Sequence, residues 1–131
     1  MGTIRVSTDS RVQWIDITAE VQHQVEESGI KEGIVLVFAT HTTAAITINE
    51  NADPSVVTDV NRKLSDLAPK QDKYLHGEGN SDGHVKSSLV GASEVVPISG
   101  GRLDLGTWQG IYFCEFDGPR ARKLWFLITS E

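Results

Sequence analysis

The feature that most constrains this chain is an apolar run that turns polar almost without a break. Ile34 to Ala39 is strand-like, and Gly33 extends it back by one residue. Only Thr40 separates it from His41-Thr42-Thr43-Ala44-Ala45-Ile46-Thr47-Ile48-Asn49-Glu50-Asn51-Ala52-Asp53-Pro54. The continuous apolar run predicts a buried strand. With Thr40 included, the run after it carries an imidazole, four hydroxyls, two carboxylates and two amides. A core strand has no need of such groups, and burying them unpaired would cost about 1–3 kcal/mol each. They are read as a segment that holds something.

The elements on either side can be placed from their patterning. Val12 to Ile17 predicts a strand. Thr18 is a candidate N-cap with Glu20 in the first turn. Ile17, Val21 and Val25 recur at helical spacing, and Gly29 can end that helix in a left-handed conformation. Ala45 to Asn49 alternates, with Ile46 and Ile48 on one face. A second helix is announced by Asp53 as N-cap and Pro54 as first helical residue, with Val56, Val60, Leu64 and Leu67 as its apolar stripe. Ala68 to Asp82 is polar and holds Pro69, Gly77 and Gly79, which predicts a long loop. His84 to Val90 predicts a short third helix ended at Gly91. Glu94–Ile98, Arg102–Leu105, Ile111–Phe116 and Lys123–Thr129 then read as antiparallel strands in a late meander. Met1 to Ser10 is polar and is assigned no element. The fold class expected is α+β: one domain over residues 1–131, a mostly antiparallel or mixed sheet, two main helices and a short third.

Charge and composition narrow the function. Eighteen acidic against 12 basic residues leave a net charge of −6 over 131 residues. That argues against a nucleic-acid groove, which clusters Lys and Arg, but leaves room for a small phosphorylated ligand. The single cysteine, Cys114, permits no intrachain disulfide and has apolar neighbours, so it reads as a small buried hydrophobe. The first ten residues carry no apolar signal core, and no apolar run approaches the ~20 residues needed to cross a bilayer. The expected compartment is the cytoplasm, with no membrane partner.

Three stretches carry chemistry. His41, His76 and His84 sit in polar or glycine-rich surroundings, whereas His23 falls within the first helix. Together the three could bind a divalent metal, zinc first and magnesium second, with Glu50 or Asp82 as a further ligand or outer partner. The alternative is three hydrogen-bonded loop or core histidines. The segment His84-Val85-Lys86-Ser87-Ser88 would offer a phosphate a helix amino terminus, a lysine and two hydroxyls. Ordinary capping by Ser81 or Asp82 is the competing explanation. The third stretch is Gly106-Thr107-Trp108-Gln109-Gly110, read as a bulged strand, followed by Arg120 and Arg122. Those arginines could clamp a phosphate or pair with Glu115 and Asp117. Trp108 could stack on a heterocycle or belong to the core.

These stretches together resemble the YjbQ family, also called the secondary thiamine-phosphate synthase family. The resemblance rests on His41-Thr42-Thr43-Ala44-Ala45-Ile46, Asn49-Glu50-Asn51-Ala52-Asp53-Pro54, Glu78-Gly79-Asn80-Ser81-Asp82-Gly83-His84-Val85-Lys86, Leu105-Gly106-Thr107-Trp108-Gln109-Gly110-Ile111 and Cys114-Glu115-Phe116-Asp117-Gly118-Pro119-Arg120. It runs from about Thr18 to the last residue. It implies a compact α+β domain assembled as a homotrimer, with sites near the subunit boundaries. It also implies weak thiamine-phosphate synthase activity, which joins hydroxymethylpyrimidine diphosphate to thiazole phosphate and releases pyrophosphate. The residues assigned on that basis are Glu50, His41 and Arg120 for catalysis. Lys86, Ser87, Asn51, Trp108, Gln109 and Arg122 are assigned to the substrate and its phosphates, and His41, His76 and His84 to the metal. Gly83 is the one motif position expected to vary. Two other functions remain open: a metal-dependent phosphoester hydrolase, and a non-catalytic trimer that holds a metal or metabolite.

Overall fold

The computed structural model describes residues Met1–Glu131 as two antiparallel sheets with three helices. The elements are β1 (Gly2–Ser7), β2 (Gln13–Asp16), α1 (Thr18–Ser28), β3 (Gly33–Ala39), β4 (Ala44–Glu50), α2 (Pro54–Leu67), α3 (Ser81–Val90), β5 (Ser93–Ser99), β6 (Arg102–Leu103), β7 (Gln109–Glu115) and β8 (Ala121–Ser130). One sheet runs β1-β8-β3-β5-β6 and the other β2-β7-β4. No helix is long and apolar enough to cross a membrane.

The main core lies between the sheets. Ile4, Val6, Val35, Val37, Val96, Ile98 and Leu124 come from the larger sheet. Ala44, Ile46, Ile111 and Phe113 come from the smaller, and Val21 and Val25 from α1. Strand periodicity then sends the intervening residues of the smaller sheet to its other face. There Ala45, Tyr112 and Cys114 form a second cluster with Phe116, covered by Val57 and Leu64 of α2 and Val90 of α3. The smaller sheet is therefore covered on both faces, which is why β7 is buried along almost its whole length.

The larger sheet is covered on one face only, and here the apolar run at Gly33–Ala39 misleads. Val35, Val37 and Ala39 point into the core, but Ile34 and Phe38 are 44% and 38% exposed. Register places Ile34 opposite Pro97, and Leu36 between Val95 and Leu127. Phe38 pairs with Trp125, their ring centroids 6.2 Å apart. The run is continuous because both of its faces are apolar, not because both are covered within the chain.

Helix boundaries follow local chemistry. The Asp53 side chain accepts from the Ser55 amide at 2.9 Å, with Pro54 as the first helical residue. Gly29 ends α1 at φ +70°, the left-handed conformation that glycine adopts without strain. Thr18 is not a cap: it is already helical, and its amide and hydroxyl both donate to Asp16 Oδ1, at 2.9 and 2.6 Å. α3 begins three residues before His84, at Ser81. The first ten residues, unassigned from sequence, hold β1, whose Ile4 and Val6 alternate into the core.

The predicted late meander is also corrected. β5 and β6 form a hairpin, but β7 pairs with β2 and β4 while β8 pairs with β1 and β3. The corner at Asp117–Arg120 carries the chain from one sheet to the other. Gly106–Gln109 is a turn rather than a bulge, closed by the Gln109 amide donating to Gly106 O at 3.1 Å.

Phe113 has no exposed surface and stands where the two sheets meet. Phe113→Ala is expected to cost about 3–5 kcal/mol through lost transfer energy and a residual cavity. Leu75→Ala, on an exposed loop, should stay within about 0.5 kcal/mol. Urea unfolding of both variants measures the difference.

Candidate functional site

Three chain segments converge on one cleft. They are the β3–β4 corner (Thr40, His41, Thr42, Thr43), the approach to α3 with its first turn (Glu78, Asn80, His84), and the β7–β8 corner (Asp117, Arg120, Arg122). The cleft is about 340 Å³ and none of its lining residues is hydrophobic.

Its floor is a buried ion pair. Arg122 Nε donates to Glu115 Oε1 at 2.8 Å and its Nη2 donates to Glu115 Oε2. The same Nη2 donates to Thr43 Oγ1 at 2.9 Å. Glu115, with no exposed surface, also accepts from Thr8 Oγ1 at 2.7 Å and from the Asp117 amide at 3.1 Å. Burial alone would raise the Glu115 pKa, but the hydrogen bonds from Arg122, Thr8 and the Asp117 amide outweigh it and hold the carboxylate ionised.

A second network lies beside the first. Asp117 accepts from Arg120 Nη2 and Asn80 Nδ2, each at 2.9 Å, and from Arg11 Nη1 at 3.2 Å. Arg11 reaches on to Asp82 at 2.8 Å, and Asp82 stands 3.9 Å from Lys86 Nζ. Burial pushes the Asp117 pKa up, but Asn80, Arg120 and the charge of Arg11 bring it below its ordinary value. Arg120 is pinned twice, since its Nε also donates to Asp117 O at 2.8 Å. Its side chain is still 53% exposed, which leaves guanidinium N–H groups facing the solvent side.

His41 and His84 stand on the cleft wall. His41 Nε2 accepts from the Lys123 amide at 3.0 Å, so the ring proton belongs on Nδ1. Burial, with the charge of Arg122 second, lowers its pKa, and the ring is neutral at pH 7. Gly83 is buried where α3 meets the β7–β8 corner. A Cβ there would stand 2.9 Å from Phe116 O.

The structure thus gathers His41, His84, Arg120 and Arg122, and places the other candidates elsewhere. His76 lines an adjacent depression with its ring edge-on to His84, centroids 5.4 Å apart. No three of the His, Cys, Asp and Glu side chains form a group that could hold a metal ion, so the three histidines do not close a metal site within one chain. Lys86 is buried against Asp82 and Ser65 Oγ, at 3.9 and 3.2 Å, rather than in the cleft, because its position repeats that of Asp82 one helical turn on. Ser87 Oγ donates to Thr42 O at 2.7 Å.

Glu50, Asn51, Trp108 and Gln109 gather at the far end of β4, whose seven residues separate them from His41 by about 20 Å of extended chain. There Glu50 Oε2 accepts from the Asp53 amide at 3.2 Å and Asn51 Nδ2 donates to Asp16 at 3.1 Å. Gln109 Oε1 accepts from the Gly106 amide at 2.8 Å, and Trp108 is 63% exposed. Sequence reasoning missed Thr8, Arg11 and Asn80. Asn80 stood within a quoted motif, but nothing local marks Thr8 or Arg11.

Acid should weaken the fold in two stages. His41 holds its pKa below 6.5 in the folded chain, so as pH falls through 6.5 the unfolded chain takes up a proton that the fold resists. Glu115 and Asp117 sit below their ordinary 4.5 and 3.8, so their contribution is present above those values and lost as pH falls through the folded ones. The melting temperature is expected to be flat above about pH 7, to decline gently at first and then more steeply. His41→Asn should remove only the gentle decline. A profile that rises on acidification would contradict this account.

The UPF0047 protein YjbQ-like family model matches residues 2–131. The UPF0047 protein YugU of Bacillus subtilis is 53% identical over 131 residues, covering 99% of each chain. The UPF0047 protein MJ1081 of Methanocaldococcus jannaschii is 50% identical over 127 residues, covering 97% of this chain and 92% of its own. A crystal structure of an uncharacterised YjbQ/UPF0047 protein from Clostridium acetobutylicum superposes with a TM-score of 0.97 at 50% identity, covering 98% of this chain and all of that one. A Sulfolobus solfataricus protein of unknown function superposes with a TM-score of 0.95 at 37% identity, covering 99% of this chain and 96% of that one. With the family pattern spanning nearly every residue and the same two-sheet architecture in its relatives, this chain belongs to the YjbQ-like UPF0047 family.

Proposed function

We propose that this chain is a cytoplasmic transferase acting on small phosphorylated heterocycles, with a thiamine-phosphate-synthase-like condensation as its side activity. The observation that carries this reading is the partly exposed Arg120 guanidinium, held by Asp117 in a wholly polar cleft beside His41 and His84. A diphosphate leaving group needs preorganised cationic donors where charge develops, and Arg120 costs no rearrangement because Asp117 already fixes it. In the condensation, the bond from the pyrimidine methylene carbon to the diphosphate oxygen breaks and a bond to the thiazole nitrogen forms. Arg120 would hold the departing oxygens. Neutral His41 would donate a hydrogen bond to the bound substrate from its Nδ1–H, since its Nε2 lone pair is engaged by the Lys123 amide.

Pyrophosphate release from hydroxymethylpyrimidine diphosphate and thiazole phosphate tests the reading. Arg120→Ala is expected to lower kcat about 100-fold or more, as loss of a charge-stabilising donor does, and Arg120→Lys to recover part of it. Activity unchanged in Arg120→Ala would overturn it. Metal-dependent phosphoester hydrolysis is the second reading, supported by the edge-on His76–His84 pair. Phosphate release that needs metal and no pyrimidine acceptor would favour it over condensation.

We also propose a homotrimer that buries the outer face of the larger sheet. Phe38, Val95, Trp125 and Leu127 form its exposed apolar strip, 38% to 51% accessible. Contiguous apolar surface of this kind marks interaction sites. An assembly could also bring Glu50 and Trp108 of one copy to the cleft of another, which the 20 Å-scale separation along β4 prevents within one chain. Leu127→Asp is expected to convert the trimer to monomer in sedimentation velocity. A variant that sediments like the wild type would place the interface elsewhere.

A further inference from the structure

We propose that Arg11, which stands outside the cleft lining, is its positioning residue: one guanidinium fork sets where Arg120 stands relative to α3 and His84. The consequence for catalysis rests on reading Arg120 as the anion donor of the cleft. The positioning itself does not.

The two carboxylate oxygens of Asp117 are divided among its partners. Oδ2 accepts from Arg120 Nη2 and from Asn80 Nδ2, each at 2.9 Å. Oδ1 accepts only from Arg11 Nη1, at 3.2 Å. The terminal torsion of an aspartate is broad and roughly two-fold, so a carboxylate held at one oxygen can turn. Arg11 removes that freedom, and the direction in which Arg120 Nη2 is held follows from it. The other arm of the same guanidinium, Nη2, donates to Asp82 Oδ1 at 2.8 Å. Asp82 lies in the first turn of α3, two residues before His84. The guanidinium is planar, so its two arms fix the two carboxylates relative to each other. A lysine ammonium is a point charge on a flexible stem and cannot do the same.

Arg11 can bridge the two because its own backbone is set against the same corner. The Gly118 amide donates to Arg11 O at 3.0 Å, and the Thr8 amide donates to Arg120 O at 3.0 Å. Thr8 Oγ1 accepts from the Arg120 amide at 2.8 Å. Gly118 comes so close to this segment that a Cβ would stand 2.3 Å from Ser10 O. None of these contacts uses the Arg11 side chain. A substitution there therefore leaves Thr8–Arg11 on the corner and removes the fork alone. Asp82 keeps Lys86 at 3.9 Å, and Asp117 keeps Arg120 and Asn80, so neither carboxylate is stranded without a partner.

Nuclear magnetic resonance of the ligand-free protein tests this whatever the cleft binds. The first readout is solvent exchange of the Arg120 Nε–H, which donates to Asp117 O at 2.8 Å. Arg120→Lys identifies its signal. The second is the orientation of α3 against β7, from residual dipolar couplings of the backbone amides. Arg11→Met is expected to speed the Arg120 exchange at least about tenfold, the scale of one hydrogen bond to a charged group. It should also turn α3 against β7 while the core amides of β7 keep their exchange rates. Arg11→Lys keeps the charge but not the fork, and should give the same two changes. It also serves if the methionine variant fails to fold. Arg120 exchange at the wild-type rate in both variants overturns the proposal. So does a lysine variant that matches the wild type, since charge alone would then suffice. Acceleration shared equally by the β7 amides would mark a general loosening and overturns it too. Faster Arg120 exchange with α3 unmoved overturns the link to His84. Absence of pyrophosphate release in the wild type would sink the transferase reading and leave the exchange result to decide the positioning.

Discussion

The Arg122–Glu115 ion pair is the contact on which the rest of the molecule is arranged. β7 brings Glu115 from the smaller sheet and β8 brings Arg122 from the larger, so the pair joins the sheets at the end where the cleft opens. Burying two charges costs several kcal/mol per ion unless geometry and further hydrogen bonds offset it. Here they do: Thr8 from the end of β1, Thr43 from the β3–β4 corner and the Asp117 amide supply the remaining contacts. Satisfying one buried pair therefore positions the end of β1, the β3–β4 corner and the β7–β8 corner. The two corners line the cleft, through Thr43, Asp117 and Arg122. Structural and functional demands meet in the same few side chains.

The second charge network extends this order to α3. Asp117 and Asp82 share Arg11, so the helix is tied to the β7–β8 corner by a residue that precedes β2. Gly83 lets the helix backbone approach Phe116 closely. Lys86 faces inward and joins the helix to Ser65 of α2. The result is a helix held at a set angle to Arg120, with His84 on the cleft side and its charged partners on the other. A loosely packed α3 would leave His84 mobile, and the cleft would have no defined shape.

Much of this could be read from the sequence where the signal is local. Asp53-Pro54 starts α2 and Gly29 ends α1. The polar surroundings of His41, His76 and His84 group the three, and the structure brings only His41 and His84 to the cleft. Elsewhere a local pattern pointed the wrong way. Lys86 looked like a phosphate ligand beside Ser87, but the spacing that makes it a neighbour of Asp82 turns it inward. Glu50 and Trp108 share polar motifs with the cleft residues, yet alternate ends of a strand are far apart however similar their chemistry. The outward residues of β3 read as core because an uncovered apolar face and a covered one have the same composition.

The sequence by itself determined the start of α2, the ends of α1 and α3, the α+β class and the family. Each of these depends on interactions within a turn or two of chain, or on motif identity. Only the tertiary structure decided that β7 and β8 part company at Asp117, that Thr8 and Arg11 serve the site, and that the candidate residues divide into two groups. The reason is distance along the chain. Thr8 and Glu115 bond across 107 positions, and Arg11 and Asp117 across 106. No periodicity spans such intervals. Which carboxylate a buried arginine meets is settled by how the two sheets pack, and that packing is a property of the whole core.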